Sequence, residues 1–352
     1  MPKTYRDELN IKNTNLIRQN LNYLPEFLKE FFKGISNTCS PYTRTKYSYD
    51  LRIFFDYLIN KEKEFAKIKN CSDFSLSDLE KTTIDHIENF MEHLSHYEKI
   101  TGETIQRYQN HENGKARKLS AIRTMFNYFF KRRKIKNNPS ELIDAPKIRE
   151  KPIIRLTENE IEQLLNEVDN GEKLTERQRK YHSYTKKRDL AIITLLLGTG
   201  MRLSECVGID INHIDFEINA IKITRKGGNE TIIYFGDEVY NALTAYMKER
   251  KNKTPKEGDE NALFLSMQNR RLTDRAIQKM VKKYSEVVIS LKKISPHKLR
   301  STYGTNLYKE TGDIYLVATV LGHKDVNTTR KHYAEMDEDR RKSAANIIKL
   351  RK

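Results

Sequence analysis

The stretch from residue 296 to residue 333 constrains the fold most, because proline and glycine divide it into three short helical segments. His297 and Arg300 follow a proline at a spacing that places both side chains on one face of a first helical turn. A glycine is predicted to end the second segment and to leave His323 on the turn. The third segment delivers Tyr333. Helices this short can bring two histidines, an arginine and a tyrosine to one site, where they could bind and attack a phosphate.

The length and composition of the chain favour two helical domains. A chain of 352 residues is too long for one core and suits two. It is 37% hydrophobic and 32% charged, which is typical of a soluble protein. The longest apolar run, Leu190 to Leu197, is too short to span a membrane and is predicted to be a buried helix. The N-terminus lacks the apolar segment of a signal peptide, so a cytoplasmic location without membrane contact is expected.

The net charge of +17 predicts a polyanionic partner. Charge alone does not choose between DNA, RNA and anionic lipid. A lysine-rich composition would also follow from a coding bias of the host, so the charge needs support from motifs.

The sequence gives no sign of a metal site. Cys39, Cys71 and Cys206 are scattered and lack the pairing of a zinc motif, so they are interpreted as free thiols. The carboxylate clusters of a two-metal nuclease are also missing near the reactive stretch. No metal or other cofactor is therefore expected.

Residues 1–138 are predicted to form an N-terminal bundle of four or five helices, because only helical periodicity is visible there. Ser40 followed by a proline predicts the N-cap and first position of one helix. A later helix over about 114–133 is expected to expose its basic side chains. Six basic residues are candidates for contacts with the anionic partner: Arg44, Lys46, Lys115, Arg117, Lys118 and Arg123.

Residues 139–156 are predicted to be a stiff linker, because prolines and charged residues dominate it. A capping box at Thr157 and Glu160 opens the second domain, residues 157–352. Two alternating segments around a glycine-rich tip predict a hairpin that exposes Lys226. Helices are predicted over about 187–197, 237–250, 273–290, 296–310, 313–321 and 327–348.

The polar residues of the second domain suit cleavage of a phosphodiester without a metal. The nonbridging oxygens gain charge in the transition state, so fixed cations matter most, and the planar arginine fork grips two oxygens. The reaction also needs a nucleophile in line with the leaving oxygen and an acid that protonates it. Taken singly, each candidate also fits an ordinary role on the surface, in a cap or in the core. Six residues are candidates for these roles. They are Arg202, His297, Arg300 and His323 as groups that bind the phosphate, Lys226 as the acid and Tyr333 as the nucleophile.

The order and spacing of these residues resemble the tyrosine recombinase/integrase family. The pattern over residues 187–340 is Gly-Met-Arg-Leu-Ser-Glu, a Lys-Gly-Gly hairpin, His-x-x-Arg, Leu-Gly-His and a tyrosine ten residues later. Within the family the chain is most similar to the Xer recombinases, in particular the single-protein XerS branch. Ser301 stands where many Xer proteins carry a histidine, which reduces the similarity to the two-protein Xer pair.

The resemblance implies the fold and the role of each residue. The fold would be mainly α, with an N-terminal helical SAM-like core-binding domain and a C-terminal mixed α+β catalytic domain. The arginines and histidines would hold the scissile phosphate, and Glu205 would support the helix of the first arginine. Lys226 would protonate the departing 5′ oxygen, and Tyr333 would form a 3′-phosphotyrosyl bond. The basic residues of the N-terminal bundle would contact the DNA.

The expected function is therefore cleavage and rejoining of duplex DNA by a homo-tetramer, to resolve chromosome dimers at a dif-like site. A DNA translocase at the division septum is a further expected partner. Two alternatives stay open: the integrase or invertase of a mobile element, and a non-catalytic DNA-binding protein with a decayed site. The target sequence, the accessory proteins and the order of strand exchange are not readable from the residues.

Overall fold

The computed structural model describes residues 4–101, 104–148, 154–225, 228–322 and 326. The chain divides into two compact units, Met1–Glu150 and Lys151–Lys352. This division lies within the stretch predicted as a linker. Among the described helices, none combines the length and the apolar character that crossing a membrane requires. The three cysteines are free thiols, as predicted.

The first unit is a helical bundle around an aromatic core. Ser40 caps its longest helix by accepting a hydrogen bond from the backbone N–H of Thr43 at 3.1 Å, with Pro41 at the first helical position, as predicted. Six phenylalanines of the core have no exposed surface: Phe31, Phe54, Phe55, Phe90, Phe126 and Phe129. The helices are α1 (Tyr5–Leu21), α2 (Leu28–Gly34), α3 (Pro41–Lys61), α4 (Leu76–Glu80), α5 (Ile84–His93) and α6 (Glu112–Lys131). Short 3₁₀ turns lie at Lys63–Phe65, Cys71–Asp73 and Pro139–Glu141.

The prediction that the first unit holds only helices is wrong. Strands β1 (Tyr97–Thr101) and β2 (Thr104–Tyr108) form an antiparallel hairpin between α5 and α6. Cross-strand pairs stabilise it: the rings of Tyr97 and Tyr108 stack with centroids 5.3 Å apart, and Arg107 Nε donates to Glu98 Oε1 at 3.0 Å. The sequence around 97 continues the helical pattern of α5, so the strand was not expected.

The second unit is organised around α8 (Glu176–Thr199), whose second half is buried and which packs against other helices of the unit. The predicted helix over 187–197 is the second half of α8, whose start lies eleven residues earlier because Thr175 and Gln178 form a capping box there. The predicted capping box at Thr157 and Glu160 is confirmed. The helices are α7 (Glu158–Asn170), α8 (Glu176–Thr199), α9 (Leu203–Val207), α10 (Asp237–Arg250), α11 (Asp274–Val288), α12 (Pro296–Thr311) and α13 (Ile314–Leu321), with a 3₁₀ turn at Ile211–His213.

The predicted hairpin is confirmed and belongs to a small antiparallel sheet. Its strands are β4 (Ala220–Thr224) and β5 (Glu230–Tyr234), paired in a register that sets Ile223 opposite Thr231. A two-residue strand, β3 (Ile214–Asp215), adds to the edge of β4. The described residues are therefore mainly α with two small antiparallel sheets, of which the one in the second unit was expected. The predicted helix over 327–348 lies outside the described residues.

Candidate active site

Arg202 lies at the N-cap of α9, where Glu205 holds it in place. The carboxylate of Glu205 accepts a hydrogen bond from the backbone N–H of Arg202 at 2.7 Å and another from its Nη1 at 2.9 Å. Glu205 is buried, whereas the Arg202 side chain is 34% exposed. A charge-assisted pair with one buried partner fixes the direction of the guanidinium. The supporting role in catalysis that the family resemblance implies for Glu205 stays a prediction.

Arg300 lies in the first turns of α12 and is buried. Its Nη1 donates to the carbonyl of Gly200 at 2.6 Å, and its Nη2 donates to the carbonyl of Leu321. Gly200 ends α8 with a φ of 60°, and a Cβ atom there would lie 2.3 Å from Cδ1 of Tyr303. Glycine is therefore required at this position. Arg300 joins the C-terminal ends of α8 and α13.

Three arginines converge on the C-terminal end of α13. Arg202 Nη2 donates to the carbonyl of Gly322 at 3.0 Å. Arg225, at the end of β4, donates from Nη2 to the carbonyl of Val320 at 2.9 Å and from Nη1 to the carbonyl of Thr319 at 3.4 Å. The last carbonyls of a helix lack partners within it and carry partial negative charge, so guanidinium groups are favourable there. With Arg300 on Leu321, the carbonyl groups of the last three residues of α13 and of its C-cap, residues 319–322, each accept from an arginine.

Arg202, His297 and Arg300 line one cleft of about 410 Å³ in the second unit. His297 is exposed at the start of α12, and its carbonyl accepts a hydrogen bond from Ser301 Oγ at 3.0 Å. An arginine has five N–H groups, so it can hold a carbonyl oxygen and a phosphate oxygen together. The structure thus brings together three of the six predicted catalytic residues in one cleft, which Asp274 also lines, and its two arginines can bind an anion.

Arg225 is a residue of this site that the sequence did not single out. Burial lowers the pKa of its guanidinium, while the negative charge of Glu205 acts in the opposite direction. Arginine stays protonated in proteins despite such shifts. The only signal in the sequence was its position directly before Lys226, because contacts with backbone carbonyls leave no pattern in side-chain types.

Lys226, His323 and Tyr333 lie outside the described residues, so their roles stay predictions. Two of them directly follow described residues of the site. Lys226 follows Arg225, and His323 follows Gly322.

Of the four basic residues that α6 is predicted to expose, Lys115, Arg117, Lys118 and Arg123, only Arg117 is exposed. Lys118 is buried, and its Nζ donates to Asn110 Oδ1 at 2.8 Å and lies 3.8 Å from Asp50 Oδ1. Burial lowers the pKa of Lys118 and raises that of Asp50, and the charge of each acts against the shift of the other. The prediction that Lys118 is exposed is wrong, because the buried carboxylate of Asp50 draws the ammonium group inwards. Arg117 pairs with the same carboxylate and stays exposed.

The other candidate basic residues are partly buried and bonded locally. Arg123 Nε donates to the carbonyl of Ser140 at 3.1 Å, which excludes full exposure. Lys115 Nζ donates to Ser95 Oγ at 2.6 Å. Arg44 Nη1 donates to the carbonyl of Phe32 at 3.5 Å, and Lys46 Nζ lies 5.2 Å from the ring centroid of Tyr42. Contact of these residues with DNA stays a prediction.

Two family models match the chain and together cover most of it. The model of the "Phage integrase family" matches residues 154–340, and that of the "Phage integrase SAM-like domain" matches residues 23–148. The first contains the whole cleft and all six predicted catalytic residues.

Individual relatives agree with these models. Tyrosine recombinase XerC of Caldanaerobacter subterraneus subsp. tengcongensis is 33% identical over 329 residues, which cover 92% of this chain and 86% of that protein. Tyrosine recombinase XerD of Staphylococcus haemolyticus is 33% identical over 215 residues, 61% of this chain and 69% of that protein. The crystal structure of XerH recombinase bound to difH substrate before cleavage shares the fold with a TM-score of 0.64 at 21% identity, covering 99% of this chain and 90% of that chain.

These relatives are XerC and XerD proteins, so the finer resemblance to the XerS branch stays a prediction. The family itself follows from the family models and the long match to XerC. The chain belongs to the phage integrase family and is a tyrosine recombinase, an enzyme that transfers DNA strands.

Proposed function

We propose that this protein cleaves and rejoins duplex DNA at a specific site through a 3′-phosphotyrosyl intermediate on Tyr333. The observation that supports the proposal most is the cleft in which Arg202, His297 and Arg300 meet. Both guanidinium groups are held by protein oxygen atoms before any substrate binds. Guanidinium groups that are already held in place do not have to reorganise when charge develops on the phosphate.

The arginines would act on the scissile phosphate. Its nonbridging oxygens gain negative charge as the nucleophile approaches, and two fixed cations stabilise that charge. Loss of a single donor of this kind lowers a rate by roughly 10²–10³-fold in other enzymes. His297, exposed at the cleft, would donate a further hydrogen bond to the same group.

The covalent steps would conserve the energy of the phosphodiester bond. The Tyr333 hydroxyl gives its proton to water, and its oxygen forms a bond to phosphorus while the bond between phosphorus and the 5′ oxygen breaks. Lys226 gives its proton to that 5′ oxygen. The 5′ hydroxyl of a partner strand then gives its proton back to Lys226 and attacks the phosphotyrosine, and the released Tyr333 oxygen takes up a proton from water. One phosphodiester is broken and one is formed, so the exchange consumes no ATP.

The partner would be double-stranded DNA, bound by a homo-tetramer at a dif-like site where chromosome dimers are resolved. The net charge of +17 and the similarity to XerC and XerD support this role. A septal DNA translocase would control it, and the enzyme would work in the cytoplasm. The recombinase of a mobile element is the second candidate, because a structure of the Tn1549 transposon integrase has a TM-score of 0.55 with this chain, which shows that both roles use this fold.

Mapping covalent cleavage on genomic DNA of the source organism tests the proposal. The full chain is incubated with fragmented DNA in the presence of EDTA, and DNA linked to protein is recovered after denaturation and sequenced. We expect protein-linked 3′ ends at one recurrent chromosomal position. Ends at the borders of a mobile element would support the second candidate. If no protein-linked DNA is recovered, the protein does not cleave DNA, and the remaining interpretation is a non-catalytic DNA-binding protein.

A further inference from the structure

Arg225 is fixed at the base of the loop that joins β4 to β5. Its backbone N–H donates to the carbonyl of Asn229 at 2.8 Å, and its own carbonyl accepts from the backbone N–H of Gly228 at 3.0 Å. Its side chain leaves the sheet and donates to the carbonyls of Thr319 and Val320 in α13. One residue therefore links the loop base to the end of a helix.

The contact between Arg225 and α13 is close and specific. Gly322 has a φ of 64°, and a Cβ atom at this position would lie 1.8 Å from Arg225 Nη1. The guanidinium thus packs directly on the glycine that ends the helix. A guanidinium can reach two successive carbonyls with its two terminal nitrogens, whereas a lysine ammonium acts as a single point charge.

We infer that Arg225 is a positioning residue for Lys226, because it holds the base of the β4–β5 loop, at residue 225, against the C-terminal end of α13. The inference rests on the proposed function, in which Lys226 is the acid. Proton transfer requires the donor within about 2.6–3.2 Å of the leaving oxygen. Arg225 is fixed by its backbone and its side chain, so it sets where the chain enters position 226 and thereby helps to position the donor.

Loss of Arg225 should affect the loop more than the helix. The carbonyls of Leu321 and Gly322 would still accept from Arg300 and Arg202. The loop, in contrast, would lose its side-chain contact with α13. The step that depends on Lys226 should therefore slow most, while the phosphate clamp stays in place.

The test uses the full chain and a nicked duplex of the mapped site, with either an ordinary phosphodiester or a 5′-bridging phosphorothiolate at the scissile position. The sulfur leaving group needs no proton. We expect Arg225→Ala to slow covalent product formation by about 10–100-fold on the ordinary substrate and to approach the wild-type rate on the sulfur substrate. Lys226→Ala should show the same pattern more strongly, and Arg225→Lys should lie between Arg225→Ala and the wild type.

Lys222→Ala is the matched control, because Lys222 lies in the same hairpin and pairs with exposed Glu230 at 2.8 Å, away from α13. It should cleave both substrates at the wild-type rate. Hydrogen–deuterium exchange of the free protein gives a readout besides activity. Arg225→Ala should speed exchange in residues 228–234 and leave residues 314–322 unchanged.

Two results would overturn the inference: an unchanged rate of Arg225→Ala on the ordinary substrate, or an equal loss on both substrates. Should Arg225→Ala unfold, Arg225→Lys decides by the same comparison of substrates. Failure of the proposed function can be told apart from failure of the inference. The wild type would then form no covalent product on either substrate, which would also contradict the inference.

Discussion

Glu205 holds Arg202 at two points, since one carboxylate oxygen accepts from the backbone N–H and the other from Nη1. The pair lies within a single turn, so the start of α9 and the direction of the guanidinium are set together. Arg202 in turn reaches the carbonyl of Gly322, the residue before His323. A buried acid is thus connected through one arginine to the end of α13.

Glu205→Ala should therefore impair cleavage without abolishing DNA binding. It leaves the N–H and Nη1 of Arg202 without this acceptor, which should lower the free energy of unfolding by about 1–3 kcal/mol and slow covalent product formation roughly 100-fold. Glu205→Gln keeps one acceptor oxygen, so its stability and its cleavage rate should lie between those of Glu205→Ala and the wild type. Thermal unfolding and single-turnover assays measure both effects. Glu217→Ala, at an exposed position in the same unit, is the control. Equal rates for Glu205→Ala and the wild type would exclude the supporting role.

Arg300→Lys should show that shape matters at this site as well as charge. One ammonium group cannot hold the carbonyls of Gly200 and Leu321 with the geometry of the arginine fork. We expect a loss of about 2–3 kcal/mol in stability, a melting temperature lower by roughly 5–10 °C and little covalent product. Arg275→Lys makes the same exchange at an exposed position and should change neither. If Arg300→Lys is as stable and as active as the wild type, the shape of the arginine side chain does not matter at this site.

Gly322→Ala should disturb both the backbone and Arg225. A φ of 64° is strained for alanine by about 1–2 kcal/mol, and the added Cβ would displace the guanidinium. We expect lower thermal stability and a large loss of cleavage rate. Gly236→Ala is the matched control, because a Cβ there meets nothing within 4 Å and the φ of −89° is ordinary. If Gly322→Ala and Gly236→Ala have the same thermal stability and cleavage rate, the close contact between Gly322 and Arg225 does not matter for function.

Local signals in the sequence predicted much of the second unit. Proline at the first position and glycine after the last residue fix the bounds of α12, and α10 follows from its apolar periodicity. The glycine-rich tip between two alternating segments predicted β4 and β5. These signals lie within a few neighbouring residues, which is why one sequence suffices to read them.

Features that depend on distant partners could not be predicted. The burial of Lys118 depends on Asp50 in another helix, and the hairpin of β1 and β2 depends on pairs such as Tyr97 and Tyr108 across the strands. At the candidate site, the resemblance to the tyrosine recombinase family indicated Arg202, His297 and Arg300, because the residue types alone did not single them out. The role of Arg225 was missed, since its partners are backbone carbonyls that any residue would supply.

The cysteines should differ in reactivity according to their burial. Burial raises the pKa of Cys71 to about 12, with Asp56 adding to the shift and Arg52 opposing it, and burial also raises the pKa of Cys206. Only the thiolate reacts, so its fraction at Cys71 should grow about tenfold per pH unit as the pH rises toward that pKa. Brief alkylation at pH 8 followed by mass spectrometry should label half-buried Cys39 first. Labelling of Cys71 as fast as Cys39 at that pH would contradict its burial.

The most direct test of the central claim is the site of the covalent bond to DNA. The full chain is trapped on a nicked duplex of the mapped site, the DNA is digested to a short remnant, and the tryptic peptides are analysed by mass spectrometry. Trypsin releases residues 332–340, in which Tyr333 is the single tyrosine. We expect the nucleotide remnant on this peptide and no covalent product with Tyr333→Phe. A remnant on a peptide that carries Tyr303, Tyr308 or Tyr315, or covalent product with Tyr333→Phe, would contradict the account.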